Sequence, residues 1–127
     1  MLDLFESATV GDTATIERLL VRDPSLLDGH SPDGWTVLHL AVHFGHVETA
    51  QAILGAGADV TARSDNALAN QPLHAAAAGS SPVTTARLLL DHGADAAAED
   101  GHWQTPAAVA ADRGHHDVAS LLAPGGA

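Results

Sequence analysis

The chain repeats itself at a period close to 34 residues, and this repetition restricts its possible folds more than any other feature. The related segments are TVLHLAVHFGH (36–46), QPLHAAAAGSS (71–81) and TPAAVAADRGH (105–115). His39 and His74 are 35 residues apart, while a separation of 34 between Gly11 and Gly45 adds a divergent first copy, LFESATVGD. A unit this short does not bury its apolar face alone. The four copies are therefore expected to stack around one continuous core, as in a solenoid.

Each copy has the pattern of two short helices joined by a turn. In the second copy, Thr36 is a suitable N-cap for an inner helix over 37–44, and Gly45 separates it from an outer helix over 47–54. Outer-helix apolar residues recur at helical spacing, such as Ile16, Leu19 and Leu20 in the first copy and Val118, Leu121 and Leu122 in the last. Because the apolar content depends on alanine, with two Phe, two Trp and no Tyr, the composition favours helices over strands.

The segment DGWTVLHLAVHFGHVETAQAILGAGADV (33–60) resembles an ankyrin repeat at its T-P-L-H, G-H and G-A-D positions. The resemblance covers nearly the whole chain and is most specific in the two middle copies. It implies an all-α ankyrin-repeat solenoid of four helix-turn-helix repeats with short hairpin fingers, capped at both ends. We expect a single domain over 1–123, with repeats at about 1–32, 33–66, 67–101 and 102–123, followed by a flexible tail over 124–127.

The copies differ from one another in two ways that bear on this fold. The third copy has a finger, ARSDNALANQ (62–71), that is two residues longer than the next finger, and one extra residue near GSSP (79–82), between its helices. The terminal copies carry polar residues that we expect to face water as caps: Thr13, Thr15, Glu17 and Arg18 in the first, and His116, Asp117 and Ser120 in the last.

The charge of the chain narrows the classes of ligand. Sixteen acidic residues oppose five arginines, with no lysine, for a formal net charge of −11. Such a surface repels phosphate, which disfavours nucleic acid and anionic membranes and favours a basic protein partner. The absence of cysteine excludes disulfides and thiolate metal sites. With no apolar run of membrane-spanning length and an acidic N-terminal segment, we expect a cytoplasmic chain that is a monomer on its own.

Nine histidines raise the question of a metal or acid-base site. His39 and His43 have the four-residue spacing of a helical metal-binding pair. In the ankyrin resemblance, however, His39 and His74 are T-P-L-H histidines, whose ring nitrogens bind the backbone of the neighbouring hairpin. His46 and His115 are the histidines that open the outer helices. We therefore expect no catalytic residue, metal site or cofactor, and leave open as an alternative a small-molecule or metal-dependent enzyme using His43 in a histidine-containing concave groove.

The resemblance also implies where a partner binds, namely the fingers and the exposed positions at the ends of the inner helices. The positions carried onto this chain are Asp33, Trp35, His43, Phe44, Asn70, Ala78, Trp103, Asp112 and Arg113. Trp35 has a second interpretation as a packing residue within its finger. The expected function is a protein-protein interaction module, and a purely structural or tethered inhibitor role remains open.

Overall fold

The computed structural model describes residues 3–123 and is all α-helical within that range. The expected tail over 124–127 lies outside the described residues. The helices are α1 (Leu4–Val10), α2 (Thr13–Arg22), α3 (Val37–His43), α4 (Val47–Gly55), α5 (Pro72–Ala77), α6 (Pro82–Asp91), α7 (Pro106–Asp112) and α8 (His116–Leu122), with a 3-10 helix at Pro24–Asp28 after α2. The predicted all-α solenoid is confirmed. Within this range no helix is long and apolar enough to cross a membrane.

The eight helices form two layers, as the repeat pattern predicts. The inner helices α1, α3, α5 and α7 pack in that order, and the outer helices α2, α4, α6 and α8 pack beside them in the same order. Fully buried apolar side chains come from both layers, with Leu38 and Leu73 on inner helices and Ile16, Ile53 and Leu89 on outer helices. Burial of each such side chain contributes roughly 1.5 to 3 kcal/mol. Because these side chains are buried between neighbouring helices of different repeats, the core depends on contacts between repeats.

The helix ends follow the capping signals in the sequence. The Thr36 hydroxyl accepts a hydrogen bond from the backbone N–H of His39, and Thr105 caps α7 in the same way. The turn after α3 passes through Gly45 with φ +78°, a left-handed conformation that glycine adopts without strain. Equivalent turns at Gly11 and Gly114 have nearly the same φ.

Of the polar residues expected to face water on the terminal repeats, most are exposed and two are not. Glu17 and Arg18 of α2 are exposed, as are His116, Asp117 and Ser120 of α8. The expectation for Thr15 is wrong, because its side chain is buried at 9% exposure. Thr13 also faces the second repeat, with its hydroxyl 2.7 Å from the hydroxyl of Thr49. Thr13 therefore helps to join the first two repeats, whereas the Thr15 hydroxyl donates to Asp12 within the first repeat.

The extra residue predicted in the third repeat lies in the turn between α5 and α6. That turn has four residues, 78–81, whereas the turns after α3 and α7 have three, 44–46 and 113–115. In the second and fourth repeats, a histidine ring binds the preceding inner helix, with His46 Nε2 2.8 Å from Thr9 O and His115 Nδ1 2.9 Å from Ala77 O. In the third repeat, the backbone N–H of Ser80 donates to His43 O at 2.9 Å and replaces the missing ring.

The three fingers are hairpin loops that each close with one backbone hydrogen bond. The N–H groups of Ser31, Ser64 and Asp100 donate to the carbonyl groups of Trp35, Asn70 and Gln104, at 2.7 to 2.9 Å. The middle loop therefore encloses two more residues than the other two, as the spacing predicts. It is bound on both sides, because Asp65 N–H donates to Gly34 O and Gly101 N–H donates to Leu68 O, both at 2.7 Å.

The backbone bond that replaces the histidine requires a glycine next to it. A Cβ on Gly79 would lie 2.3 Å from His43 O, so Gly79→Ala would separate the third repeat from the second. We expect this substitution to lower the free energy of unfolding by roughly 1 to 3 kcal/mol in urea denaturation. Gly55→Ala is the control, since its Cβ would meet nothing within 4 Å. Gly55→Ala should leave the free energy of unfolding unchanged or raise it by up to about 1 kcal/mol, because alanine favours the helix. An equal loss of stability in both variants would contradict this role for Gly79.

Candidate functional site

A groove runs between the fingers and the inner helices, with a cavity of about 520 Å³. Eight of the nine residues proposed from the sequence line it: Asp33, Trp35, His43, Phe44, Asn70, Ala78, Asp112 and Arg113. Gln104, a finger position that the resemblance also implies, lines it too, and so do residues that the sequence did not indicate, among them Leu40, Leu68, Asp100 and Val109. The groove therefore brings together residues from all four repeats, with Thr9 the contribution of the first.

Two buried histidines line the groove and bind the second and third fingers to the preceding repeats. His39 Nε2 lies 2.9 Å from Asn70 O, and His74 Nε2 lies 2.9 Å from Gln104 O. Because a carbonyl only accepts, each Nε2 carries the proton and donates it. The other ring nitrogens are also engaged, since His74 Nδ1 accepts from Gln71 N–H at 3.2 Å and His39 Nδ1 lies 2.7 Å from the Thr36 hydroxyl. The structural role expected for these two histidines is present in the geometry.

The environment of these histidines favours their neutral forms. The pKa of His39 is lowered from 6.5 to about 4, mainly because the residue is buried at 1% exposure. The bond to Asn70 opposes this shift, and the nearby His30 and His74 contribute to it. Burial also lowers the pKa of His74. A proton added at Nδ1 of His74 would face the N–H donor of Gln71. Both rings are therefore fixed as neutral donors to the fingers.

His43 does not form a ligand pair with His39. His43 is half-buried rather than fully exposed, with Nδ1 3.3 Å from Ala75 O and its ring edge-on to Phe44 at 5.0 Å between centroids. His39 has both ring nitrogens in hydrogen bonds within the protein. No group of three or more His, Asp or Glu side chains with the arrangement of a metal site occurs in residues 3–123.

Aromatic and aliphatic side chains form the walls of the groove. Trp35 is partly exposed and lies tilted over the His39 ring at 5.7 Å between centroids, so it both packs in its finger and faces the groove. Phe44 is 42% exposed and Leu68 is 39% exposed, each on a different repeat. Large apolar side chains left in contact with water next to a cavity are typical of an interface.

Acidic side chains lie at the end of the groove formed by the last repeat. Gln104 connects two of them, since its Nε2 donates to Asp112 Oδ2 at 2.8 Å and its backbone N–H donates to Asp100 Oδ1 at 3.0 Å. Asp100 is nine-tenths buried, at 8% exposure. Asp33 is a third carboxylate on the groove, and Arg113 is the one arginine among the described residues that line it. The groove is therefore acidic, like the chain as a whole.

One polar side chain of the groove has no partner. Asn70 is 7% exposed, and its Oδ1 makes no hydrogen bond to any residue within 3–123. A buried acceptor without a donor typically costs about 1 to 3 kcal/mol. The backbone carbonyl of the same residue is bound by His39, and the unpaired side-chain oxygen is itself buried.

Of the nine proposed residues, Trp103 is the one outside the groove, at the tip of the third finger. It is 81% exposed, and its φ of +60° is left-handed, which is unfavourable for a bulky residue. When the three fingers are superimposed on their closing hydrogen bonds, Trp103 is equivalent to Gly34 and Ala69, which also have positive φ. Trp35 is instead equivalent to Gln104. The two tryptophans therefore occupy different positions in their fingers, which the sequence reasoning did not distinguish.

The lowered pKa of His39 predicts a loss of stability in mild acid. The unfolded chain binds more protons than the folded chain between pH 6.5 and about 4, so the free energy of unfolding falls as the pH decreases through that window. The shift of His39 corresponds to roughly 3 kcal/mol. Urea denaturation at several pH values should show this decrease in the wild type and a smaller one in His39→Ala. The control is His102→Ala, at an exposed histidine of the third finger, and it should keep the wild-type dependence.

The left-handed backbone of Trp103 predicts that this residue costs stability. Trp103→Gly should raise the free energy of unfolding by about 1 kcal/mol, because glycine adopts this φ without the Cβ clash. Trp103→Ala keeps the Cβ and removes the ring, so it should change stability by less than about 0.5 kcal/mol. Thermal or urea unfolding checks both variants. A loss of stability in both would mean that the indole ring holds the finger together.

Comparisons with known proteins agree with this architecture. A family model described as Ankyrin repeat matches residues 33–65 and 70–101. Similar curated proteins from Homo sapiens include SH3 and multiple ankyrin repeat domains protein 2, 30% identical over 94% of this chain and 6% of that protein. ARF GTPase-activating protein GIT2 is 32% identical over 86% of this chain and 14% of its own length. NAD-capped RNA hydrolase NUDT12 is 43% identical over 42% of this chain and 12% of its own length. The chain thus spans a small part of each relative.

Proposed function

Because the chain belongs to the ankyrin repeat family, we propose that it is a protein-interaction module that binds its partner in the groove between the fingers and the inner helices. Ankyrin repeats are generally protein-interaction modules and are typically not enzymes. The observation that supports this proposal most directly is the groove itself. Residues from all four repeats line a cavity of about 520 Å³, with Trp35, Phe44 and Leu68 on its walls.

The charge of the molecule supports a basic partner. The net charge is −11, and three carboxylates line the groove beside a single arginine. Opposite charges on a partner would speed its association and disfavour acidic competitors. The cytoplasmic location, the monomeric state and the repeat boundaries at about 1–32, 33–66, 67–101 and 102–123 stay predictions from the sequence.

The enzymatic alternative has less support from the groove. It requires His43 to act with a second ligand or base, such as Asp112 across the groove or His39 at helical spacing. His39 uses both ring nitrogens within the fold, and one carboxylate oxygen of Asp112 accepts from Gln104. Similarity to the NAD-capped RNA hydrolase covers 42% of this chain and 12% of that enzyme, which is too small a share to transfer its activity. We therefore favour binding over catalysis.

Affinity capture with matched variants tests the proposed groove. Phe44 and Val21 are both exposed apolar residues, at 42% and 83% exposure, but only Phe44 lines the groove, while Val21 lies on α2. Unfolding experiments would first show that wild type, Phe44→Ala and Val21→Ala have stabilities within about 0.5 kcal/mol of one another. Each purified protein would then be immobilised on a resin and incubated with lysate of the source cell.

We expect proteins captured by the wild type to be retained by Val21→Ala and depleted about tenfold or more by Phe44→Ala, since exposed aromatic anchors often carry interface energy. Adding His43→Ala to Phe44→Ala should deepen the loss. Captured proteins that remain at wild-type level in both groove variants would place the interface elsewhere on the molecule.

A further inference from the structure

We propose that His43 selects the partner of the groove by accepting, at its Nε2 atom, a hydrogen bond from the indole N–H of a partner tryptophan. This inference rests on the proposed function and adds the chemistry of one contact within the same groove. Three features of the second and third repeats carry it, namely a fixed histidine tautomer, an open ring nitrogen and apolar surroundings.

The hydrogen bond between His43 and α5 fixes which ring nitrogen carries a proton. His43 Nδ1 lies 3.3 Å from Ala75 O, and a carbonyl only accepts, so Nδ1 is the donor. Ala75 lies near the end of a helix of six residues, where the N–H of Gly79 bonds to Ala76 O rather than to Ala75 O. The His43 ring thus supplies a donor to a carbonyl at the end of α5, as the ends of helices require.

The opposite nitrogen of the His43 ring is open. Nε2 makes no hydrogen bond within residues 3–123 and is accessible to solvent. The side chain is half-buried and lines the groove. In the neutral ring Nε2 is the acceptor, because Nδ1 holds the proton. His43 therefore presents one acceptor to a ligand of the groove, from a ring that its contact with α5 holds in place.

The residues around this acceptor are apolar. Phe44 stands edge-on to the His43 ring at 5.0 Å between centroids, and Leu40 lies one helical turn away on α3. Ala75 and Ala78 of the adjoining repeat also line the groove. No carboxylate is paired with His43 within residues 3–123, so nothing at this position compensates an ammonium or guanidinium for the loss of its water. A donor carried by an apolar side chain suits the position better.

Tryptophan is the side chain that meets both requirements. Its indole has a large apolar surface and one N–H donor, and it has no acceptor. Tyrosine also donates, but its hydroxyl can accept instead, and phenylalanine has no polar group. The cavity of about 520 Å³ is in the size range of pockets that hold small ligands. An indole therefore pairs with the neutral form of His43 and not with its charged form.

Protonation of His43 would reverse this contact. A charged ring carries a proton on Nε2 as well, so two N–H donors would face each other, and histidine is the side chain that changes charge between pH 5 and 8. The other titratable or charged side chains that line the groove are Asp33, His39, His74, Asp100, Asp112 and Arg113. The helices packed against α3 also carry, outside the groove, Glu6 on α1, Glu48 on α4, and Arg87 and Asp91 on α6. Substitution of His43 leaves all of these groups in place, so it isolates the contribution of one ring.

Two substitutions separate the two halves of the ring. His43→Asn keeps a donor near the position of Nδ1, whereas His43→Gln places an amide oxygen near the position of Nε2 and does not change charge with pH. His102→Gln is the matched control, at an exposed histidine of the third finger outside the groove. The probes are glycine-flanked peptides whose central residue is tryptophan, 1-methyltryptophan, phenylalanine or lysine. The 1-methyl group keeps the indole and removes its N–H.

Binding to the isotope-labelled full chain would be measured by NMR titration, and the ring nitrogen resonances of the histidines would locate it. At about pH 7.5 we expect the tryptophan peptide to bind about fivefold or more tightly than the other three, and to shift Nε2 of His43 but not the ring of His102. At about pH 5.5 this complex should be about fivefold weaker in the wild type and in His102→Gln, and less than about twofold weaker in His43→Gln. His43→Asn should bind about fivefold more weakly at the higher pH, with unchanged thermal unfolding.

Equal binding of the tryptophan and 1-methyltryptophan peptides, or tighter binding of the lysine peptide, would overturn the proposal. So would the same pH dependence in the wild type and His43→Gln, or no shift at His43 at millimolar peptide. If a His43 variant does not fold, the four peptides with the wild-type chain still decide the outcome. The proposed function fails separately, because protein capture that depends on Phe44 would persist if the groove binds its partner without His43.

Discussion

The hydrogen bonds from His39 to Asn70 O and from His74 to Gln104 O are the interactions on which the rest of the structure depends. Each one joins an inner helix to the finger of the following repeat, across 31 and 30 residues of sequence. They hold the fingers beside the helices and so create the groove. Burial favours the neutral form of both rings, which links the stability of this arrangement to pH.

A second set of contacts sets the spacing of the inner helices, and it shows how the fold tolerates change in its repeats. His46 and His115 bind the preceding inner helix through their rings, whereas Ser80 does so through its backbone N–H. The third repeat accommodates its extra residue at this turn, where Gly79 allows close approach to His43 O. A histidine ring and a backbone N–H thus serve the same purpose, because each supplies a hydrogen-bond donor to a carbonyl at the end of the preceding inner helix.

The properties of the groove follow from residues that serve the fold and the surface together. Asn70 offers its backbone carbonyl to His39 and leaves its side-chain oxygen without a partner. Asp100 caps its own finger through Oδ1 and lines the groove. Trp35 packs on His39 and forms a wall. The same hydrogen bonds therefore hold the lining of the groove and the scaffold, which would limit the entropy lost if the proposed partner binds there.

The sequence by itself determined the repeat, the helices, the length of the middle finger and the role of His39 and His74, because these depend on local spacing and on a unit that needs neighbours to bury its apolar face. It also identified eight residues that line the groove, including Phe44 and Arg113. Only the tertiary structure decided that Thr15 is buried, that Trp103 stands apart in a left-handed conformation, and that Asp100 and Leu68 belong to the groove. Those outcomes depend on how loops from different repeats meet, and contacts between residues distant in sequence leave no periodic signal in the chain.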